Sequence, residues 1–134
     1  MPPPQRQPSE LTVITKAKDL SKLVYTVTAK SPKQFRFTLS SRMQNLCNDI
    51  IADLFYANEV FVGGPDAKAQ YLIRLERQRS ARTKMHLLAY YAEFAAEQKA
   101  ILFKQYEQIA EAVFACLNMV SAWIRSDKKR WEKA

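Results

Sequence analysis

The last long stretch of the chain, Lys104 to Trp131, carries apolar side chains three or four residues apart. They stand at Tyr106, Ile109, Ala110, Val113, Cys116, Leu117, Val120, Trp123 and Ile124. Because an α-helix turns once every 3.6 residues, this spacing places them on one face. The pattern predicts an amphipathic helix whose apolar face requires partners elsewhere in the chain.

Helix-breaking residues divide the rest of the sequence. The two glycines, Gly63 and Gly64, are followed directly by Pro65, and Pro32 is the other proline beyond the first nine residues. Ser31-Pro32 is typical of an N-cap followed by proline at the first helical position, where the missing N–H costs no hydrogen bond. We therefore predict four helices, over 10–30, 31–61, 66–98 and 104–131, with a turn at 63–65 and weak turn chemistry around 99–103.

Regular apolar stripes support the first two of these helices. The stripes are Val13, Ala17, Leu20, Val24 and Val27 in the first, and Leu39, Met43, Leu46, Ile50, Leu54, Ala57 and Phe61 in the second. The β-branched run at 24–28 also suits a strand. We favour helix there, because a lone strand has no partner in this sequence.

The predicted third helix differs between its halves. From Met85 to Ala96 it is apolar almost all round, so we expect this half to lie deep in the structure. Four amphipathic helices with short links predict an all-α fold, an antiparallel up-down four-helix bundle. We place this bundle in a single domain over 10–134, after a flexible N-terminal tail over 1–9 that is rich in Pro and Gln.

Charge and cysteine content limit the classes of partner and the compartment that we expect for this protein. The chain has 21 Lys and Arg against 13 Asp and Glu, a net charge of +8, which attracts polyanions such as nucleic acid or acidic proteins. We find no apolar run near the ~20 residues of a membrane span and no N-terminal hydrophobic region, so we expect a cytoplasmic protein without a membrane partner. Cys47 and Cys116 lie on apolar faces, which indicates reduced, buried thiols.

Residue types that carry catalysis are scarce. One His and two distant Cys give no metal-ligand cluster, and there is no Gly-rich phosphate loop, so we expect no metal, no cofactor and no enzyme activity. One pattern stays as an alternative: Arg79 and His86 stand seven residues apart on one helix face. Some four-helix-bundle ribonucleases use this spacing, with His as general acid or base and Arg holding the phosphate.

Two clusters of basic residues are candidates for nucleic-acid or protein binding. The first is Arg74, Arg77, Arg79, Arg82 and Lys84, with Glu76 as its single acidic residue; the second is Arg125, Lys128, Lys129 and Arg130. Guanidinium groups bind phosphate in a bidentate fork. A cationic last turn also suits the negative end of a helix dipole, which accounts for part of the second cluster.

Apolar residues outside the main stripes indicate self-association. They are Ile51, Phe55, Ile73, Leu87, Phe94 and Phe114. A small bundle cannot hide all of them, and a large exposed apolar patch usually marks an interface. We therefore predict a closed homo-oligomer.

Several segments resemble one family. They are LTVITKAKDL (11–20), SPKQFRFTL (31–39) with Arg42, NEVF (58–61), QYEQIA (105–110) and AWIRSDKKR (122–130). In order and spacing they are similar to the accessory variability determinant (Avd) proteins of diversity-generating retroelements. The same bundle also occurs in proteins encoded by ribosomal-RNA intervening sequences, which leaves a ribosome- or rRNA-associated role as an alternative.

The Avd resemblance implies a non-catalytic partner of a reverse transcriptase. In these systems the enzyme copies a template RNA into mutagenised cDNA, which replaces a variable region of a target gene. The accessory protein is a ring-shaped homopentamer that binds the reverse transcriptase, RNA and cDNA through its basic surface. Arg36 and Arg42, within the resembling segments, join the two basic clusters as candidate binding residues.

Overall fold

Four α-helices account for most of the described chain. The computed structural model describes residues 8–133, with side chains from residue 12 onward. α1 covers Pro8–Thr28, α2 Ser41–Glu59, α3 Ala67–Glu97 and α4 Phe103–Trp131, and no strand occurs between residues 8 and 133. The 24–28 run is helical, as predicted. Of the predicted 1–9 tail, residues 1–7 lie outside the described residues, and α1 begins at Pro8.

Each helix packs on two neighbours, so the four form a closed bundle. α1 contacts α2 and α4, and α3 contacts the same two helices. The apolar stripes supply one continuous core that includes Leu20, Met43, Leu54, Leu88 and Ile109, each at most 1% exposed. The predicted stripes of α1 and α4 face this core.

Contacts between side chains show which parts of neighbouring helices meet. Gln44 donates to the Thr28 hydroxyl over 2.9 Å, which joins the start of α2 to the end of α1. Arg42 lies 5.4 Å from the centre of the Tyr91 ring, near the end of α3. Tyr106 donates to the Glu93 carboxylate over 3.3 Å, which joins the start of α4 to the end of α3. One end of the bundle therefore holds both the α1–α2 and the α3–α4 connections.

The predicted start of the second helix is wrong. Ser31 caps nothing: its hydroxyl is buried and has no hydrogen-bond partner among the described residues. The chain forms a 3-10 turn at Lys33–Phe35 and a π-helical turn at Arg36–Ser40 before α2 begins. The wider turn keeps Leu39 in the core and leaves Phe37 85% exposed. The spacing alone could not reveal this, because π turns are rare and carry no strong sequence signal.

Two further predictions of burial are wrong. Phe61 lies beyond the end of α2 and is 79% exposed, although we placed it on the α2 stripe. In the half of α3 predicted to be deep, Leu87 and Tyr90 are 38% and 57% exposed. Each helix contacts two others, so even its most apolar segment keeps one side open to solvent.

The turn between α3 and α4 is built without glycine or proline. Lys99 adopts the left-handed region, with φ 64°. Its N–H donates to the Ala96 carbonyl and that of Ala100 to the Ala95 carbonyl, a Schellman motif. The Leu102 N–H then donates to the Gln105 side chain at the start of α4. A non-glycine residue in this conformation costs about 1 kcal/mol or more.

Both thiols are buried in the core and unpaired. Burial, with the charge of Cys116 second, raises the pKa of Cys47 from 9.0 to about 12. Burial also raises the pKa of Cys116 to about 11. Both are therefore protonated at neutral pH, and their burial confirms the predicted position on buried helix faces.

Helix α4 also passes a length and composition test for a membrane span. Its most apolar 18-residue window has a mean hydropathy of 1.2. The core helix of a soluble protein can pass the same test, and 28% of this window is buried inside the bundle.

Candidate nucleic-acid interface

The predicted basic cluster on α3 is divided between the faces of the helix. Successive members of the cluster lie two or three residues apart, and a helix advances 100° per residue. Arg74 and Lys84 turn toward buried carboxylates, Arg77 is half exposed, and Arg79 faces solvent. Arg82 is half-buried. The five side chains therefore do not form one continuous phosphate-binding surface.

Asp127 holds Arg74 inside the bundle. The Asp127 side chain is 3% exposed and that of Arg74 12%. Arg74 Nη1 lies 3.3 Å from both carboxylate oxygens of Asp127, and its Nη2 donates to the Val60 carbonyl over 2.6 Å. Gln78, fully buried, donates to Asp127 over 3.0 Å. Burying a carboxylate is costly unless it is paired and hydrogen-bonded, so Arg74 has a structural role here.

Asp53 of α2 forms a second buried site for cations from α3. Its Oδ2 accepts from Lys84 Nζ over 2.8 Å and from Ser80 Oγ over 2.7 Å. Arg77 Nη1 lies 3.4 Å from its Oδ1, and the Arg77 guanidinium sits 4.8 Å from the centre of the Tyr56 ring. Lys84 and Arg77 thus compensate a carboxylate that is 4% exposed.

Our sequence interpretation missed Asp53 and Asp127 as partners of the basic cluster. A signal exists in the spacing: Asp53 follows Ile50 by three residues, and Asp127 follows Trp123 by four. Both acids therefore continue apolar stripes, where an unpaired charge is not tolerated. Arginine, lysine and glutamine on the facing helix are the expected partners.

Arg79 and Lys128, one cation from each predicted cluster, line a cleft between α3 and the last turns of α4. This cationic cleft encloses about 290 Å³ and is lined by Lys68, Tyr71, Leu72, Leu75, Arg79, Ile124, Lys128 and Glu132. Lys68 lies 5.6 Å from the centre of the Tyr71 ring and donates to the Glu132 carbonyl. Arg79 and Lys128 are exposed and form no ion pair within residues 12–133. The cleft therefore joins one member of each predicted basic cluster.

The cleft suits a phosphate beside an apolar group. Arg79 offers planar, forked donors and Lys128 a mobile ammonium. Leu72, 51% exposed, provides apolar surface in the same cleft. Tyr71 is only 4% exposed, so its ring is core rather than a stacking platform. This combination can hold a polyanion by its backbone with little reading of sequence.

The other candidate residues lie outside this cleft. Arg125, Lys129 and Arg130 are exposed on the same end of α4 and extend the positive surface. Arg36 and Arg42 are exposed at the opposite end of the bundle, beside the α1–α2 connection. His86 and Arg79 are both exposed on α3, but His86 does not line the cleft.

Comparison with known proteins gives no family for the chain. No protein-family model matches it, and no curated protein matches it. Among the described residues, no group of three His, Cys, Asp or Glu side chains is placed to hold a metal ion.

Proposed function

We propose that this chain is a non-catalytic accessory subunit of a diversity-generating retroelement. In this role it binds the reverse transcriptase and its template RNA or cDNA through a basic surface and so supports mutagenic reverse transcription in the cytoplasm. The observation that carries the proposal is the cationic cleft, where Arg79 of α3 and Lys128 of α4 face solvent and form no ion pair within residues 12–133, with Glu132 as the one acid in the lining. The Avd resemblance supplies the identity of the partners.

The division of the basic residues supports a binding role for this cleft. Arg74, Arg77 and Lys84 compensate the buried Asp53 and Asp127, so they add little to the surface potential. These three cations and two carboxylates have a net charge of +1, so +7 of the net +8 comes from the rest of the chain, including the C-terminal cations beside the cleft. A polyanion is the partner that such a surface favours.

We further propose an antiparallel arrangement of the helices and a ring-shaped homo-oligomer. Cross-helix contacts support the first point: Arg74 meets Asp127 whereas Tyr106 meets Glu93, so residue numbers fall along α4 as they rise along α3. Exposed apolar side chains support the second. Phe55, Ile73, Leu87 and Phe114 are 38–64% exposed. The number of five subunits comes from the resemblance alone.

Co-purification tests the reverse-transcriptase partnership. We expect the tagged chain to retain a reverse transcriptase encoded beside its gene after washing at moderate salt. The double variant Arg79→Glu with Lys128→Glu reverses the charge of two cations that line the cleft. Lys22→Glu with Lys104→Glu changes the net charge equally on exposed positions outside the cleft. If no reverse-transcriptase gene lies nearby, or the enzyme never co-purifies, the proposal fails and the rRNA-associated role becomes the leading alternative.

A further inference from the structure

Two clefts at one end of the bundle have complementary chemistry. Both lie where the α1–α2 and α3–α4 connections meet, a proximity shown by a third cleft lined by Pro32, Lys99 and Leu102. One of the two complementary clefts is on the α1–α2 side of the bundle, and the other is on the α3–α4 side. Because α1 and α2 pack on α4 and α3 respectively, these are opposite sides of the bundle.

The α3–α4 side carries an acidic aromatic cleft of about 380 Å³. Its lining residues are Glu93, Ala96, Glu97, Phe103 and Tyr106. Phe103 is 65% exposed, and its ring centre lies 5.5 Å from that of Tyr106. No cation lines this cleft, and neither glutamate forms an ion pair within residues 12–133. Burial, and then the charge of Glu93, raises the pKa of Tyr106, so its hydroxyl stays protonated and donates to that carboxylate.

The α1–α2 side carries a basic aromatic projection. Arg36 and Phe37 begin the π-helical turn and line a cleft of about 310 Å³ with Ser40 and Gln44. Phe37, at 85%, is the most exposed large apolar side chain among the described residues. Arg36 is exposed and has no acidic partner among them. Its flanking cation Lys33 is exposed as well.

We propose that Arg36 and Phe37 of one copy insert into the acidic aromatic cleft of the next copy. The guanidinium then meets the Glu93 and Glu97 carboxylates and the faces of two aromatic rings, a combination of charge-assisted hydrogen bonds and cation–π contact. Phe37 packs on Phe103, which covers two of the most exposed apolar side chains. A second copy is the occupant that the structure favours, because both halves of the contact lie on this chain.

The contact joins two different patches, so it is heterologous. Such contacts close into a ring when the rotation between neighbours permits it. Because both patches lie at the same end of the bundle, neighbouring copies can stand side by side with that end facing the same way. This inference rests on the homo-oligomer of the proposed function and specifies how its subunits meet.

Two variants that each destroy one patch test the contact. Variant A is Arg36→Glu with Phe37→Ser, and variant B is Glu93→Gln with Glu97→Gln and Phe103→Ser. Each alone should have the monomer mass of 15.5 kDa by light scattering. When the two variants are mixed in equal amounts, the intact cleft of variant A should accept the intact projection of variant B. The expected product is a dimer with one copy of each chain.

The controls separate this contact from the oligomer itself. All five substituted residues are exposed, so helicity by circular dichroism should stay at the parent value. Phe61→Ser removes an equally exposed phenylalanine that lies outside both clefts and should keep the parent mass. If variants A and B keep the mass of the parent oligomer, or if they stay monomeric when mixed, the proposed contact is wrong. The proposed homo-oligomer is not contradicted by either result. A parent chain that is itself monomeric at micromolar concentration overturns both.

Discussion

Arg79→Glu together with Lys128→Glu should lower RNA affinity about a hundredfold or more at low salt. Both cations line the cationic cleft and form no ion pair within residues 12–133, so each is available to a phosphate. Each lost contact to a single strand should also reduce the slope of log affinity against log salt by about 0.7. In a ring-shaped oligomer every subunit presents one cleft, so several clefts contact the same RNA. The double variant removes all of these contacts together, which increases the loss of RNA affinity. Fluorescence anisotropy over a salt series measures both effects.

A double reversal that used Arg77 in place of Lys128 would be a weaker test. Arg77 lies 3.4 Å from Asp53, so Arg77→Glu would place a second carboxylate beside a buried one and confound binding with stability. Lys22→Glu with Lys104→Glu is the matched control and should retain most of the affinity. If the cleft variant binds RNA as tightly as the control, the cleft is not the RNA site. The exposed cations Arg125 and Lys129 are then the next candidates.

Asp127→Asn should destabilise the folded chain by about 3 to 5 kcal/mol, because it leaves a buried arginine without its counter-charge. Arg74 is 12% exposed in the folded state and fully hydrated in the unfolded one. The double variant Arg74→Met with Asp127→Leu should recover part of the loss, since apolar residues can replace a buried ion pair, but it leaves the buried Gln78 amide and the Val60 carbonyl without these partners.

Urea unfolding at a fixed protein concentration measures these changes, since oligomer stability depends on concentration. Asp49→Asn, on the exposed side of α2, is the matched control and should shift stability by less than about 0.5 kcal/mol. A loss below about 1 kcal/mol for Asp127→Asn would show that the Arg74–Asp127 pair is dispensable.

The helices were predictable because apolar spacing and helix breakers act locally. The stripe of α4 and the turn at Gly63-Gly64-Pro65 follow directly from helical geometry and from the conformational limits of glycine and proline. Gly64 has φ +71°, which favours glycine. The start of α2 was not predictable in this way, because the π turn at Arg36–Ser40 depends on how Leu39 reaches the core.

The candidate site was only partly predictable, for a different reason. Sequence shows how many cations a helix carries, but not which of them face an acid on another helix. Arg74 and Arg79 are alike in sequence context, yet one lies beside the buried Asp127 and the other faces solvent. The cationic cleft combines Arg79 and Lys128, which are far apart in the sequence and meet only through the packing of α3 against α4.

Reconstituted reverse transcription tests the central claim most directly. The purified reverse transcriptase and its template RNA should yield little cDNA alone and abundant cDNA when this chain is added. His86→Ala should support synthesis as well as the parent, because the proposal gives this chain no catalytic group. Arg79→Glu with Lys128→Glu should not support it. Equal cDNA yield with and without the chain, or RNA cleavage by the chain that His86→Ala abolishes, would contradict the account.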